Sequence, residues 1–156
     1  MTRALSLDVF VRNEAGRKGV PISRSFEAWI RATLEGRRRG RVEVNIALLR
    51  RAEARRLNRE FRGRDYATNV LSFPYEEMRG EHNRLLGDLA ICPAVVAREA
   101  REQGKRVRDH FAHLVIHGTL HLIGFDHGDD AQAAKMETLE RRLLAGFGIG
   151  DPYAER

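Results

Sequence analysis

Two long runs of this chain alternate between apolar and polar residues. Leu5, Leu7, Val9 and Val11 share one parity, and Val42, Val44, Ile46 and Leu48 share another. A period of two marks a strand with one buried face. Asn69–Phe73, ended by Pro74, and Leu85–Ile91, which contains Gly87 and Asp88, predict two shorter strands. Elsewhere the apolar period lengthens to that of a helix. Pro21 and Ser23 open one such segment, which runs through Phe26, Trp29, Ile30 and Leu34 and stops near Gly36, with Trp29 in the core. Leu49 to about Phe61, closed by Gly63, predicts a second helix. Its exposed face carries Arg50, Arg51, Arg55, Arg56 and Arg59. The polar stretch Glu76–Arg84 predicts a loop.

Pro93 suits the first turn of a helix that reaches Gly104. A further helix runs from Val107 through Phe111, Leu114, Val115 and Leu120 to about Ile123. Asp129 or Asp130 caps the last one, whose stripe is Met136, Leu139, Leu143 and Phe147. Strands alternate with helices early and helices cluster late. The expected fold is therefore α+β with an α/β-like first half: one four-stranded mixed sheet covered by about five helices, in a single domain over residues 1–156.

Length and composition narrow the classes. A chain of 156 residues buries a core without staples, and its single cysteine, Cys92, cannot form an internal disulfide. No disulfide partner is expected, and a reducing cytoplasm fits. No apolar run approaches the roughly 18 residues of a membrane span, and the N-terminal segment alternates rather than forming the apolar block of a signal peptide.

The chemistry concentrates late in the chain. Five of six histidines fall between residues 110 and 127, in the order His110, His113, His117, His121 and His127. Residues four apart on a helix share a face, so His117 and His121 can present their rings to one point. Gly124 permits a left-handed turn that brings His127 back toward the pair. Three neutral imidazoles suit one divalent cation, zinc foremost. Three protein ligands leave a place for water, the coordination of a catalytic rather than a structural ion. His113, one turn earlier, is a candidate partner behind the ligands or a substrate contact, whereas His110 reads as a surface residue. Asp126 either orients an imidazole from behind or caps the following turn. The spacing H-x-x-x-H-x-x-G-x-x-H is also that of metzincin peptidases, which need a glutamate directly after the first histidine. Gly118 stands there and cannot accept a proton, so peptide hydrolysis by that route is disfavoured.

Charge adds a second theme. The net charge is +6, and only Lys18, Lys105 and Lys135 among 28 cations are lysines. Arg37–Arg64 holds eleven arginines against Glu43, Glu53 and Glu60, a local net of +8, so the rest of the chain sums to −2. Arginine's planar fork suits phosphate, although base composition alone also enriches it. Arg55, Arg59, Arg62 and Arg64 are the candidates for nucleic-acid phosphates.

His117–His127, read as H-G-x-L-H-L-x-G-F-D-H, resembles the signature of the YbeY family of bacterial endoribonucleases. Leu57-Asn58, Phe61-Arg-Gly-Arg-Asp65 and Thr68-Asn-Val-Leu-Ser-Phe73 resemble a second family segment, and Gly87-Asp88 a third. The first 40 residues carry no matching motif. The resemblance implies that His117, His121 and His127 hold a metal, usually taken as zinc, and that the family's functionally important arginine is Arg62. It also implies metal-dependent cleavage of single-stranded RNA, with roles in maturing the 3′ end of small-subunit (16S) rRNA and in ribosome quality control. The expected partners are rRNA and the small ribosomal subunit. Two other readings compete: a ribosome-assembly or adaptor factor with a mainly structural metal, and a peptidase, which Gly118 disfavours.

Overall fold

The computed structural model describes residues 4–75 and 85–154. Its elements follow in the order β1 (Leu5–Asn13), α1 (Ser23–Leu34), β2 (Gly40–Leu48), α2 (Arg51–Arg62), β3 (Val70–Pro74), β4 (Leu85–Ile91), α3 (Pro93–Gln103), α4 (Val107–Leu122) and α5 (Asp130–Ala145). Four strands and five helices were expected, and these are found. The loop expected over Glu76–Arg84 lies outside the described residues. No described helix is long and apolar enough to cross a membrane.

The strands form one mixed sheet in the order β1-β2-β4-β3, with β1, β2 and β4 parallel and β3 antiparallel to β4. Period-two alternation decides which face is covered. Val42, Val44, Ile46 and Leu48 of β2 all join the larger core, with Trp29 and Ile30 of α1 and with Phe111, Val115 and Leu120 of α4. Phe26 meets Trp29 and Phe111 edge to face, at 5.7 and 6.0 Å between ring centroids. The opposite face is smaller and is closed by α2, through Ala54 with Leu49, Leu71, Ala90 and Cys92. Cys92 is buried and free.

Helix α4 lies directly on the sheet, and two glycines permit the close approach. A Cβ on Gly87 would stand 2.6 Å from both the Phe73 carbonyl oxygen and Leu122 Cδ2. A Cβ on Gly118 would stand 2.9 Å from Leu89 Cδ2 and 3.1 Å from Ser72 Oγ, whose hydroxyl donates to the Gly118 carbonyl at 3.1 Å. Gly118 thus faces the sheet.

His110 is not a surface residue: it is buried at 4% exposure. Its Nε2 meets Glu99 Oε1 at 2.9 Å, and Asn69 Nδ2 donates to the same oxygen at 3.0 Å. Asn69 Oδ1 also accepts the Val70 N–H at 2.6 Å, so one cluster fastens the entry of β3 to α3 and α4. The ring is buried because Glu99, eleven residues back on α3, gives it a partner. Burial pushes the Glu99 carboxyl up, but the hydrogen bonds from His110 and Asn69 outweigh it and hold the group below its ordinary value.

The last helix departs from its expected stripe. Asp129 is the cap, accepting the Gln132 N–H at 2.7 Å. Met136, Leu139 and Leu144 are buried, while Phe147 lies past the end of α5 at 39% exposure. The helix ends at Ala145, two residues before Phe147 could join the stripe.

Gly87→Ala should cost about 1–3 kcal/mol, because backbone as well as side chain must yield, and urea denaturation reads the loss. Glu99→Gln should cost about 1–2 kcal/mol at neutral pH. A carboxyl depressed by folding stabilises above its unfolded pKa and loses that contribution as pH falls through the folded value. The gap between wild type and Glu99→Gln should therefore narrow in urea titrations run below about pH 4.5.

Candidate metal centre

Helix α4 is apolar over most of its surface, and beyond the buried His110 the half-buried His113, His117 and His121 follow one another at helical spacing. His117 and His121 stand one turn apart, with their Nε2 atoms 3.1 Å from each other. The helix stops after Leu122, and Gly124 takes φ +99°, a left-handed conformation that turns the chain back. His127 then lies with its ring centroid 5.0 Å from that of His121 and 5.8 Å from that of His117. One ring nitrogen from each of the three falls within 4.8 Å of the others. The set could hold a metal ion.

The ring of His117 is oriented from behind. Its Nδ1 lies 2.9 Å from Glu140 Oε1, and Glu140 has no solvent exposure. An ionised carboxylate only accepts, so Nδ1 carries the proton and the Nε2 lone pair points toward His121. This is the carboxylate–histidine pairing that fixes tautomer and aim in metal sites. His113 Nε2 reaches the same Oε1 at 3.0 Å, and the Tyr153 hydroxyl donates to Oε2 at 2.9 Å. Burial alone would raise the Glu140 carboxyl. The hydrogen bonds from His113 and His117, with the field of both rings, hold it down at about 2. Burial lowers His113, against the pull of Glu140. Burial, with the neighbouring His117 and His127, likewise lowers His121.

Glu140 and Tyr153 are the members of this site that sequence reasoning missed. The available signal was a glutamate inside the apolar stripe of α5, four residues from Met136 and four from Leu144. Tyr153 had none, because it arrives from the segment after α5. That segment is tied down by Arg141, which pairs with Asp151 at 3.1 Å and places its guanidinium 5.4 Å from the Tyr153 ring centroid.

His113 packs behind His117 on the Glu140 carboxylate. Asp126 Oδ1 accepts the backbone N–H of His127 at 2.8 Å, fastening the turn rather than holding a ring. Arg55 makes a two-pronged pair with Asp65 at 2.8 and 2.9 Å, and Arg59 approaches the same carboxylate at 3.8 Å. Arg56 pairs with Glu53 and Glu60. The Arg64 guanidinium reaches the Tyr66 hydroxyl at 3.5 Å. Arg62 is exposed at the end of α2, beside the left-handed Gly63, with no ion pair among the described residues. It does not line the hollow of about 330 Å³ that His117 and His127 share with Glu137, Glu140 and Tyr153.

A mixed sheet carrying a three-histidine helix-and-turn site defines a protein with a candidate metal centre. The family model for endoribonuclease YbeY matches residues 11–148, and the chain belongs to that family. Curated relatives named "Endoribonuclease YbeY" include one from Stenotrophomonas maltophilia, 51% identical over 99% of this chain and 98% of that one. Another, from Alkalilimnicola ehrlichii, is 54% identical over 89% of this chain and 86% of its own. The solution structure of TM1509 from Thermotoga maritima aligns with a TM-score of 0.59 at 25% identity, covering 95% of this chain and all of that one.

Glu140→Ala should destabilise the fold by about 3–5 kcal/mol, since it removes the buried carboxylate on which His113, His117 and Tyr153 all meet. Glu140→Gln, which keeps one accepting oxygen, should recover part of that loss in the same urea titration.

Proposed function

We propose that this member of the endoribonuclease YbeY family is a metal-dependent endoribonuclease acting on single-stranded RNA, in maturation of the 3′ end of 16S rRNA and in ribosome quality control. The observation that carries the reading is the convergence of His117, His121 and His127 with a buried carboxylate behind the first of them. The family membership supplies RNA as the substrate class. A cytoplasmic location and the small ribosomal subunit as partner follow from that role.

His117, His121 and His127 would hold the ion, and a donor set of neutral imidazoles suits zinc. Such an ion supplies Lewis acidity toward a phosphoryl oxygen and toward water. The protein's own part begins with aim: Glu140 keeps the proton of His117 on Nδ1, and Tyr153 and His113 keep Glu140 in place. Gly118 offers no base and faces the sheet, so a proton must leave by another group. Glu137 lines the hollow beside His117 and His127, and its carboxylate is the acceptor we assign. Both oxygens of Glu140 are already engaged. Arg62, exposed at its helix end without an ion pair among the described residues, is the cation we assign to charge growing on the phosphate. The adaptor reading, in which the metal is mainly structural, finds less support, because His117 and His127 border a hollow and, among the described residues, no fourth ligand joins the three histidines.

Incubation of the purified protein with labelled single-stranded RNA tests the proposal. Cleavage should stop with chelator and return with zinc, and the His117→Ala/His121→Ala protein should show none. Arg62→Ala should lower kcat by about 10²–10³-fold. Undiminished cleavage by the double-histidine variant would defeat the assignment.

A further inference from the structure

The arginine-rich segment is less available than its charge suggests, since Arg55, Arg56 and Arg59 are engaged by Asp65, Glu53 and Glu60. Unpaired cations gather elsewhere. A groove of about 430 Å³ runs between α5 and the turn that joins α1 to β2. Arg37 borders it from the turn, and Lys135 and Arg142 border it from α5. None of the three has an ion pair among the described residues, and no acidic residue lines the groove. Lys135, Thr138, Leu139 and Arg142 follow helical spacing, so one stripe of α5 forms this wall. The floor includes Phe125, partly buried and two residues before His127. Arg38 ties the turn to the same stretch by donating to the Ile123 carbonyl at 3.4 Å.

We propose that this groove is a binding site for the sugar–phosphate backbone of the RNA strand as it leads into the metal centre, with Arg37, Lys135 and Arg142 on phosphates and Phe125 against a base. The inference rests on the RNA reading given above and adds a surface to it. The ligand is chosen by complementarity. Three unneutralised cations without a carboxylate attract a polyanion through counterion release, and an aromatic face among them suits an unpaired base. The hollow on the neighbouring face of α5 carries no cationic Lys or Arg and is lined instead by Glu137 and Glu140 beside His117 and His127. The two hollows flank one helix, and the turn from Phe125 to His127 runs from the groove to the ligands. A strand held in the groove therefore needs to advance only along that turn to present a phosphodiester to the metal.

Fluorescence anisotropy with a short, labelled, unstructured oligoribonucleotide, in chelator and over a series of salt concentrations, reads binding without cleavage. Arg37→Gln/Lys135→Gln/Arg142→Gln should weaken binding at about 0.1 M salt by roughly 10- to 100-fold and reduce the slope of log K against log salt by about 2. Lys135→Gln and Arg142→Gln singly, both exposed on α5, should each reduce the slope by about 0.7, which keeps the test decisive should the triple variant not fold. Arg56→Gln, already paired with two glutamates, should leave the slope unchanged. If the wild-type chain binds with a clear salt slope and the groove variants match it, the groove assignment is overturned and the RNA reading stands. If the wild-type chain itself shows no salt-dependent binding, both fall.

Discussion

Glu140 accepts hydrogen bonds from three side chains on two separate parts of the chain: His113 and His117 on α4, and Tyr153 beyond α5. A carboxylate with no solvent exposure costs several kcal/mol to bury, and only well-placed donors offset that. The requirement is mutual, because each donor would be left unpaired without it. The rotation of α5 about its axis, the seat of the C-terminal segment and the tautomer of the first candidate ligand are thus set together. Hydrophobic packing of Met136 and Leu144 holds α5 on the core, but apolar contacts tolerate small rotations that a three-way hydrogen bond does not.

The same geometry explains why a glycine stands where the peptidase-like spacing would need a glutamate. The residue after His117 is carried about 100° around the helix from it, onto the sheet. Position 118 has no room even for a Cβ without displacing Leu89 or Ser72. The glycine is therefore required by packing as well as inert as a base. A glutamate placed there would have to enter the core, far from any water at the histidine cluster.

Much of this was legible in the sequence because it is periodic. Alternation in β1 and β2 announced both the strands and their buried parity, and the spacing of His117, His121, Gly124 and His127 announced a cluster whose geometry the helix enforces. Glu140 was not legible in the same way. Its meaning depends on α5 docking against α4, a tertiary fact that shows in the sequence only as a charge out of place in an apolar stripe. His110 was misread for a related reason: its burial depends on Glu99 and Asn69, which lie on other elements. The arginines of α2 mislead through their number. The net of +8 counted over Arg37–Arg64 stops one residue short of Asp65, the carboxylate that takes up Arg55 and Arg59.

Helix α5 joins the two charge environments of the molecule. One stripe, with Glu137 and Glu140, belongs to the hollow beside the histidines; the stripe with Lys135, Thr138, Leu139 and Arg142 belongs to the basic groove. A slip of one residue would turn the helix by about 100° and exchange the faces, taking Glu140 from His117 and the cations from the groove. The buried carboxylate that aims the first histidine is thus also what fixes where the unpaired cations stand. Placement of the three-histidine cluster and placement of the cations across α5 are consequences of one constraint on one helix, and a change that loosens Glu140 must disturb both.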